Sequence, residues 1–176
     1  MYLLKPQIEQ LKKFLCSVRE EGYCVEACIP YFSVKAPHLQ EANDLIIGDW
    51  KYRNIRHGHK TFSGEITVSY KDIPVWTMIY RGTFLLRGRS DICKIEVFRC
   101  LRQAFDALEK IDFDLPICGP KEYMCDYGFD EKACEYHNFY TGDITNFIGK
   151  EDVLLSLDGG EKQLAYRMRY SGGLIW

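Results

Sequence analysis

Two carboxylates and two carboxamides recur in matched settings along this chain of 176 residues. Glu65 follows Phe62-x-Gly64 and Glu151 follows Phe147-x-Gly149, so each acid sits just past the same pattern. Two carboxyl groups facing a shared cleft divide general-acid and general-base work when their surroundings separate their pKa values, which is the chemistry of a hydrolase or isomerase. The spacing tells against that pairing. Glu65 is one residue past its glycine and Glu151 two, so straight strands point them to opposite faces unless a bulge intervenes. Strand carboxylates paired with cross-strand Lys or Arg are the plainer expectation. Asn54 and Asn138 each lie four residues before a glycine, in strands about to turn. Hydrogen bonds that shape the turn account for them, with ligand contact as the alternative. Trp76 and Tyr80 alternate along one strand, Tyr166 and Tyr170 along another. Most such rings fill a core, and the remainder would line a small-molecule cleft with a polar rim.

Other reactive residues carry less. No nucleophile elbow, phosphate loop or helical His-Glu-x-x-His motif is present, and nothing calls for a cofactor. The eight cysteines include no Cys-x2-Cys pair. Cys24 and Cys28 on an extended chain would stand about 13 Å apart, and Cys93 and Cys100 on a helix about 10.5 Å apart, so no metal site is expected. The N-terminus lacks a secretion signal and no run of about 18 apolar residues occurs, so a cytoplasmic protein with reduced thiols and no membrane span is expected. His57-x-His59 reads as a solvated hairpin tip. Cys118, before Gly119-Pro120, has no neighbouring base to activate it.

Lys plus Arg number 23 against 25 for Asp plus Glu, a net charge of −2, so no basic field exists to hold nucleic acid directly. Hydrophobic content of 47% with 27% charged residues describes a folded chain, and the length suits a single domain over residues 1–176. The aromatic share, 14%, carried by 12 Tyr, 10 Phe and 3 Trp, is what needs explaining.

The elements that must position these residues come in two similar series. A helix is expected over residues 6–21, with Pro6 at its first position, Gly22 as its cap and Ile8, Leu11, Phe14, Leu15 and Val18 facing inward. A second is expected over residues 91–110, capped by Ser90, with Ile92, Ile95, Phe98, Leu101, Phe105 and Leu108 inward. Each precedes a block of strands. The first block reads Tyr52-x-Asn54-x3-Gly58-x3-Phe62-x-Gly64, then Trp76-x-Met78-x-Tyr80-x-Gly82. The second reads Tyr136-x-Asn138-x3-Gly142-x4-Phe147-x-Gly149, then Tyr166-x-Met168-x-Tyr170-x-Gly172. The gaps widen only where hairpin turns fall, so an internal duplication is expected, with repeats at about 1–86 and 87–176.

Alternation places strands at 51–55, 62–70 and 75–81 in the first copy and at 134–140, 145–157 and 163–171 in the second. Strand glycines at 64, 82, 149 and 172 mark bulges or close approaches. The expected fold class is therefore α+β: an internal duplication of a helix plus three-stranded antiparallel unit, helices packed on antiparallel sheet. Parity puts Trp76, Met78 and Tyr80 inward and Val75, Thr77 and Ile79 outward, the latter a candidate face for a homodimer or another protein. In the second copy Arg167 and Arg169 point outward and must be wet or paired.

At these positions, with Gly48-Asp49-Trp50-x-Tyr52, Gly119-Pro120-x-x-Tyr123, Gly142-Asp143 and Tyr170-x-Gly172-Gly173 added, the chain resembles a family of uncharacterised, mostly bacterial domains of unknown function. Some members of that family sit behind a helix-turn-helix domain, which implies an effector-sensing role. Together these readings favour a module that binds or senses an unknown small molecule in an aromatic-lined cleft between the repeats, contacted by Trp76, Tyr80, Tyr166, Tyr170, Asn54, Asn138, Glu65 and Glu151. An enzyme using Glu65 or Glu151 and a protein-interaction domain using a sheet edge or face are the alternatives.

Overall fold

The computed structural model describes residues 5–21, 41–58, 60–85, 90–106, 119–125, 134–156 and 160–175. Helix α1 is Lys5–Glu20 and is followed by strands β1 (Glu41–Ile47), β2 (Trp50–Gly58), β3 (Thr61–Tyr70) and β4 (Ile73–Phe84). Helix α2 is Ser90–Asp106 and is followed by β5 (Glu122–Cys125), β6 (Cys134–Asp143), β7 (Asn146–Leu155) and β8 (Gln163–Leu174). All eight strands join one antiparallel sheet in the order β1-β2-β3-β4-β8-β7-β6-β5.

This overturns the expected architecture. Among the described residues the molecule is mostly one continuous eight-stranded antiparallel sheet with two helices, not helix-plus-three-strand units packed on a sheet. Both strands that the sequence concealed, β1 and β5, are the edges. An edge strand has one neighbour and half its face open, so it needs no strict alternation: β1 reads Glu-Ala-Asn-Asp-Leu-Ile-Ile, and β5 is four residues long. The join between β4 and β8 was equally hidden, because strand pairing across such a distance in sequence leaves no local trace.

The core lies between one sheet face and the helices. Tyr52, Phe62, Ile66, Val68, Trp76, Met78, Tyr80 and Phe84 supply it from β2 to β4, and Tyr136, Phe147, Val153, Tyr166, Met168 and Tyr170 from β6 to β8. From α1 come Leu11, Phe14, Leu15 and Val18, as its three-and-four spacing demands. Phe14 stacks on Trp50 at 5.6 Å, and Arg19 donates to the Phe105 carbonyl at 2.8 Å, which ties α1 to β2 and to α2. The buried stripe of α2 is Val97, Phe98, Cys100, Leu101, Ala104 and Phe105. Ile95, expected inward, is 44% exposed, because Val97, Cys100 and Ala104 turn the buried arc away from it. Residue 108 and the proposed cap at Gly22 lie outside the described residues.

The strand glycines are close approaches. A Cβ on Gly64 would overlap the Tyr80 ring, and one on Gly149 the Tyr170 ring; Gly82 and Gly172 stand in the same way against Phe62 and Phe147. The register shifts lie elsewhere, between Val68 and Ser69 and between Val153 and Leu154. Lys71 and Asp72, both at positive φ, form the two-residue hairpin turn between β3 and β4.

Cys100 on α2 and Cys134 on β6 form a disulfide, with Cα atoms 6.4 Å apart. This corrects the expectation of reduced thiols throughout; Cys16 is a buried free thiol. Cys24, Cys28 and Cys118 lie outside the described residues.

Two stability outcomes follow. Gly149→Ala forces the Tyr170 ring to move and is expected to cost about 1–3 kcal/mol as overpacking, read as a lower urea midpoint with unchanged slope; an unaltered midpoint would show that the ring has room. Replacing both Cys100 and Cys134 by alanine opens a 34-residue separation and is expected to cost about 2–4 kcal/mol, with dithiothreitol lowering the wild-type midpoint and leaving the variant unmoved.

Candidate functional site

Tyr80 starts on β4, crosses β3 where Gly64 pairs with it, and donates from its hydroxyl to Asn54 Oδ1 on β2 at 2.8 Å. Tyr170 does the same from β8, crossing β7 at Gly149 and donating to Asn138 Oδ1 on β6 at 2.5 Å. Both bonds are buried. A phenol spans a whole strand only where that strand carries no side chain, and its hydroxyl needs an acceptor once it leaves water. The asparagines are thus acceptors for cross-strand tyrosines rather than turn-shaping groups. Asn138 also donates through Nδ2 to the Gly119 carbonyl at 2.9 Å.

Of the remaining aromatic candidates, Trp76 is fully buried, donates from Nε1 to the Ile144 carbonyl at 2.9 Å and stacks on Phe147. Tyr166 is fully buried between Phe62 and Phe84. These rings form core packing, and the sheet brings Trp76, Tyr166, Tyr80 and Tyr170 to its interior face.

Glu65 and Glu151 stand on opposite faces of the sheet. Glu65 is exposed, facing Ile79 across β3–β4, and accepts from the hydroxyls of Thr77 at 3.3 Å and Thr67 at 3.4 Å. Glu151 is 1% exposed and faces Asn138 on β6 and Met168 on β8. Burial pushes its pKa up to about 7, against hydrogen bonds from the Tyr136 hydroxyl and the Gly119 backbone that favour the charged form. Among the described residues its Oε2 has no hydrogen-bond partner. The parity of the two sequence positions sets this separation, and the register shifts fall too far along the strands to undo it. Two acids divided by a sheet do not share a substrate.

The concave feature lies on the outward face. A hollow of about 1170 Å³ crosses strands β3 to β8 and reaches Lys121 and Glu122 beside β6. Its strand register forms two rows. One row runs Ser63, Arg81, Arg169, Lys150, Phe139, and the next runs Glu65, Ile79, Ser171, Ile148, Thr141. Ile79, Ile148 and Phe139 are 57%, 63% and 52% exposed. Gly64 and Gly149 thin the floor above the two tyrosines. Sequence reasoning did not single out Arg81, Lys150, Phe139 or Ile148. Their parity was readable, but only the β4–β8 pairing assembles them. Val75, expected on this face, is buried at the strand's start.

Among the described residues no group of three or more His, Cys, Asp or Glu is placed to hold a metal ion, and no helix is long and apolar enough to cross a membrane.

Glu151 gives the protein a defined pH response. A carboxyl that ionises near 4.5 in the unfolded chain and near 7 when folded leaves the folded state holding the extra proton between those values. Stability therefore falls as pH rises through that window and stays lowered above it. Glu151→Gln removes the effect, so its stability advantage over wild type is expected to grow by on the order of 3 kcal/mol from pH 4 to pH 8, measured by urea denaturation across the range. A constant difference between the two proteins would mean that Glu151 ionises as it does in water.

No curated protein and no solved structure shows significant similarity to the chain. A family match runs over residues 54–175, from Asn54 in β2 to just past β8, and takes in both tyrosine–asparagine bonds, both phenylalanine–glycine contacts and every lining residue of the hollow. By that match the chain belongs to the family described as Domain of unknown function (DUF5680).

Proposed function

We propose that the chain is a small-molecule-binding module whose ligand rests in the outward hollow over β3, β4, β8 and β7. The observation that carries this reading is the cluster of Ile79, Ile148 and Phe139, each more than half exposed, on the floor of a hollow of about 1170 Å³. Exposed apolar side chains scattered singly mean little, whereas three gathered in a concavity with polar groups at its margin have the make-up of a ligand site. Ser63, Thr141 and Ser171 provide hydroxyls around them.

Binding rather than turnover is favoured by the separation of Glu65 from Glu151. Four of the residues that the sequence suggested, Glu65, Tyr80, Asn138 and Tyr170, line this hollow, whereas Trp76 and Tyr166 are fully buried in the core. A sensing role, in which occupancy is passed to a partner, accords with the rigid tyrosine-on-glycine layer directly beneath the hollow.

The neutral fluorophore N-phenyl-1-naphthylamine tests the reading. Its fluorescence is expected to rise saturably with folded protein, and amide chemical-shift changes are expected at residues 63–65, 79–81, 148–150 and 169–171. Ile79→Ser with Ile148→Ser should weaken binding at least tenfold, about 1.4 kcal/mol. Absence of saturable binding, or shifts confined to other surfaces, would remove this face from consideration.

A further inference from the structure

Arg81 and Arg169 oppose each other directly in the β4–β8 register, and Lys150 opposes Arg169 in the β7–β8 register. Adjacent strands lie about 4.8 Å apart, so three cations occupy a stretch of about 10 Å on one face. Like charges placed directly opposite oppose sheet formation unless something neutralises them. Two residues away the same strands show how this sheet does so. Arg167, opposite Asp152, is held by two hydrogen bonds of 2.6 and 2.8 Å, and Asp152 also meets Lys150 at 3.5 Å. In the next row neither Arg81 nor Arg169 has a hydrogen bond or ion pair among the described residues, and both are exposed. Lys150 lies over the Phe139 ring at 4.9 Å.

The imbalance belongs to the hollow. Its charged side chains are Arg81, Lys121, Lys150 and Arg169 against Glu65 and Glu122, in a chain whose net charge is −2. Glu65 is engaged by two threonine hydroxyls. Along the strands, two residues or about 7 Å from the arginine row, come Ile79 and Ile148. The face thus offers a cationic end and an apolar end at a fixed separation. A second copy of the chain would bring its own arginines against these, which disfavours self-association through this face.

We infer that the hollow takes an organic acid, with its anionic head bridging the guanidinium groups of Arg81 and Arg169 beside Lys150 and its apolar body lying over Ile79 and Ile148. Guanidinium forks suit the paired oxygens of carboxylate, sulfonate or phosphate heads, and an anion between them turns the cross-strand repulsion into attraction. The inference rests on the binding reading above and adds the chemical class of the ligand.

Two fluorophores with the same aromatic body separate the claims: neutral N-phenyl-1-naphthylamine and 1-anilinonaphthalene-8-sulfonate. The sulfonate is expected to bind wild type at least tenfold more tightly than the neutral dye, with an advantage that shrinks as sodium chloride rises. Arg81→Gln and Arg169→Gln should each bring the ratio of the two affinities down toward unity. Both side chains are exposed and have no hydrogen bond or ion pair among the described residues, so each variant should melt at or above the wild-type temperature. Equal affinity of the two dyes for wild type, or a ratio untouched by both substitutions, overturns the organic-acid inference and leaves the binding reading standing. If neither dye binds, both readings fall. Co-sedimentation with phosphatidylserine vesicles that Arg81→Gln abolishes, without saturable binding of the sulfonate dye, would also overturn it and make the face a membrane contact.

Discussion

The whole arrangement depends on two buried phenol hydroxyls finding acceptors. A tyrosine sealed in a core gains from burying its ring and loses heavily if its hydroxyl is stranded. Here each hydroxyl is carried over a glycine to an asparagine two strands away, so one side chain fixes the alignment of three strands at once. A slip of one residue would turn the tyrosine to solvent and the asparagine toward a partnerless interior. The hydroxyl bonds thereby select the register, and the register builds the rows of the outward face. What a ligand would meet on one side of the sheet is set by hydrogen bonds on the other.

That dependence explains what was legible in the sequence. Tyr80-x-Gly82 with Phe62-x-Gly64, and Tyr170-x-Gly172 with Phe147-x-Gly149, are conspicuous because a ring on one strand demands an absent side chain on the next. The same pattern, matched by Asn54 and Asn138, marked out the interior and three strands on each side. Most of the residues that drew attention are those whose packing is most constrained. Glu65 and Glu151 were separable from parity alone, and the structure puts them on opposite faces.

What stayed hidden was long-range. The β4–β8 seam that sets Arg81 against Arg169 joins a strand from the middle of the sequence to one about 90 residues later. The edge strands β1 and β5 escaped because an edge tolerates irregular patterning. The Cys100–Cys134 disulfide escaped because spacing says nothing of which thiols a fold brings together, and the expected compartment argued against any.

The seam has a consequence for how the chain must acquire its structure. β8 follows the other seven strands in sequence but sits at the middle of the sheet. Until it arrives, β4 presents an open edge of twelve residues with Trp76, Met78, Tyr80 and Phe84 along it, and β7 presents another. Two half-sheets, each with an unpaired edge and a large aromatic surface, are templates for pairing with the wrong chain. Of the eight described strands the latest in sequence is thus also the one that closes both edges, so any delay or truncation before residue 163 leaves a sticky intermediate, where the joined sheet has the short strand β5 and the acid-bearing strand β1 at its margins.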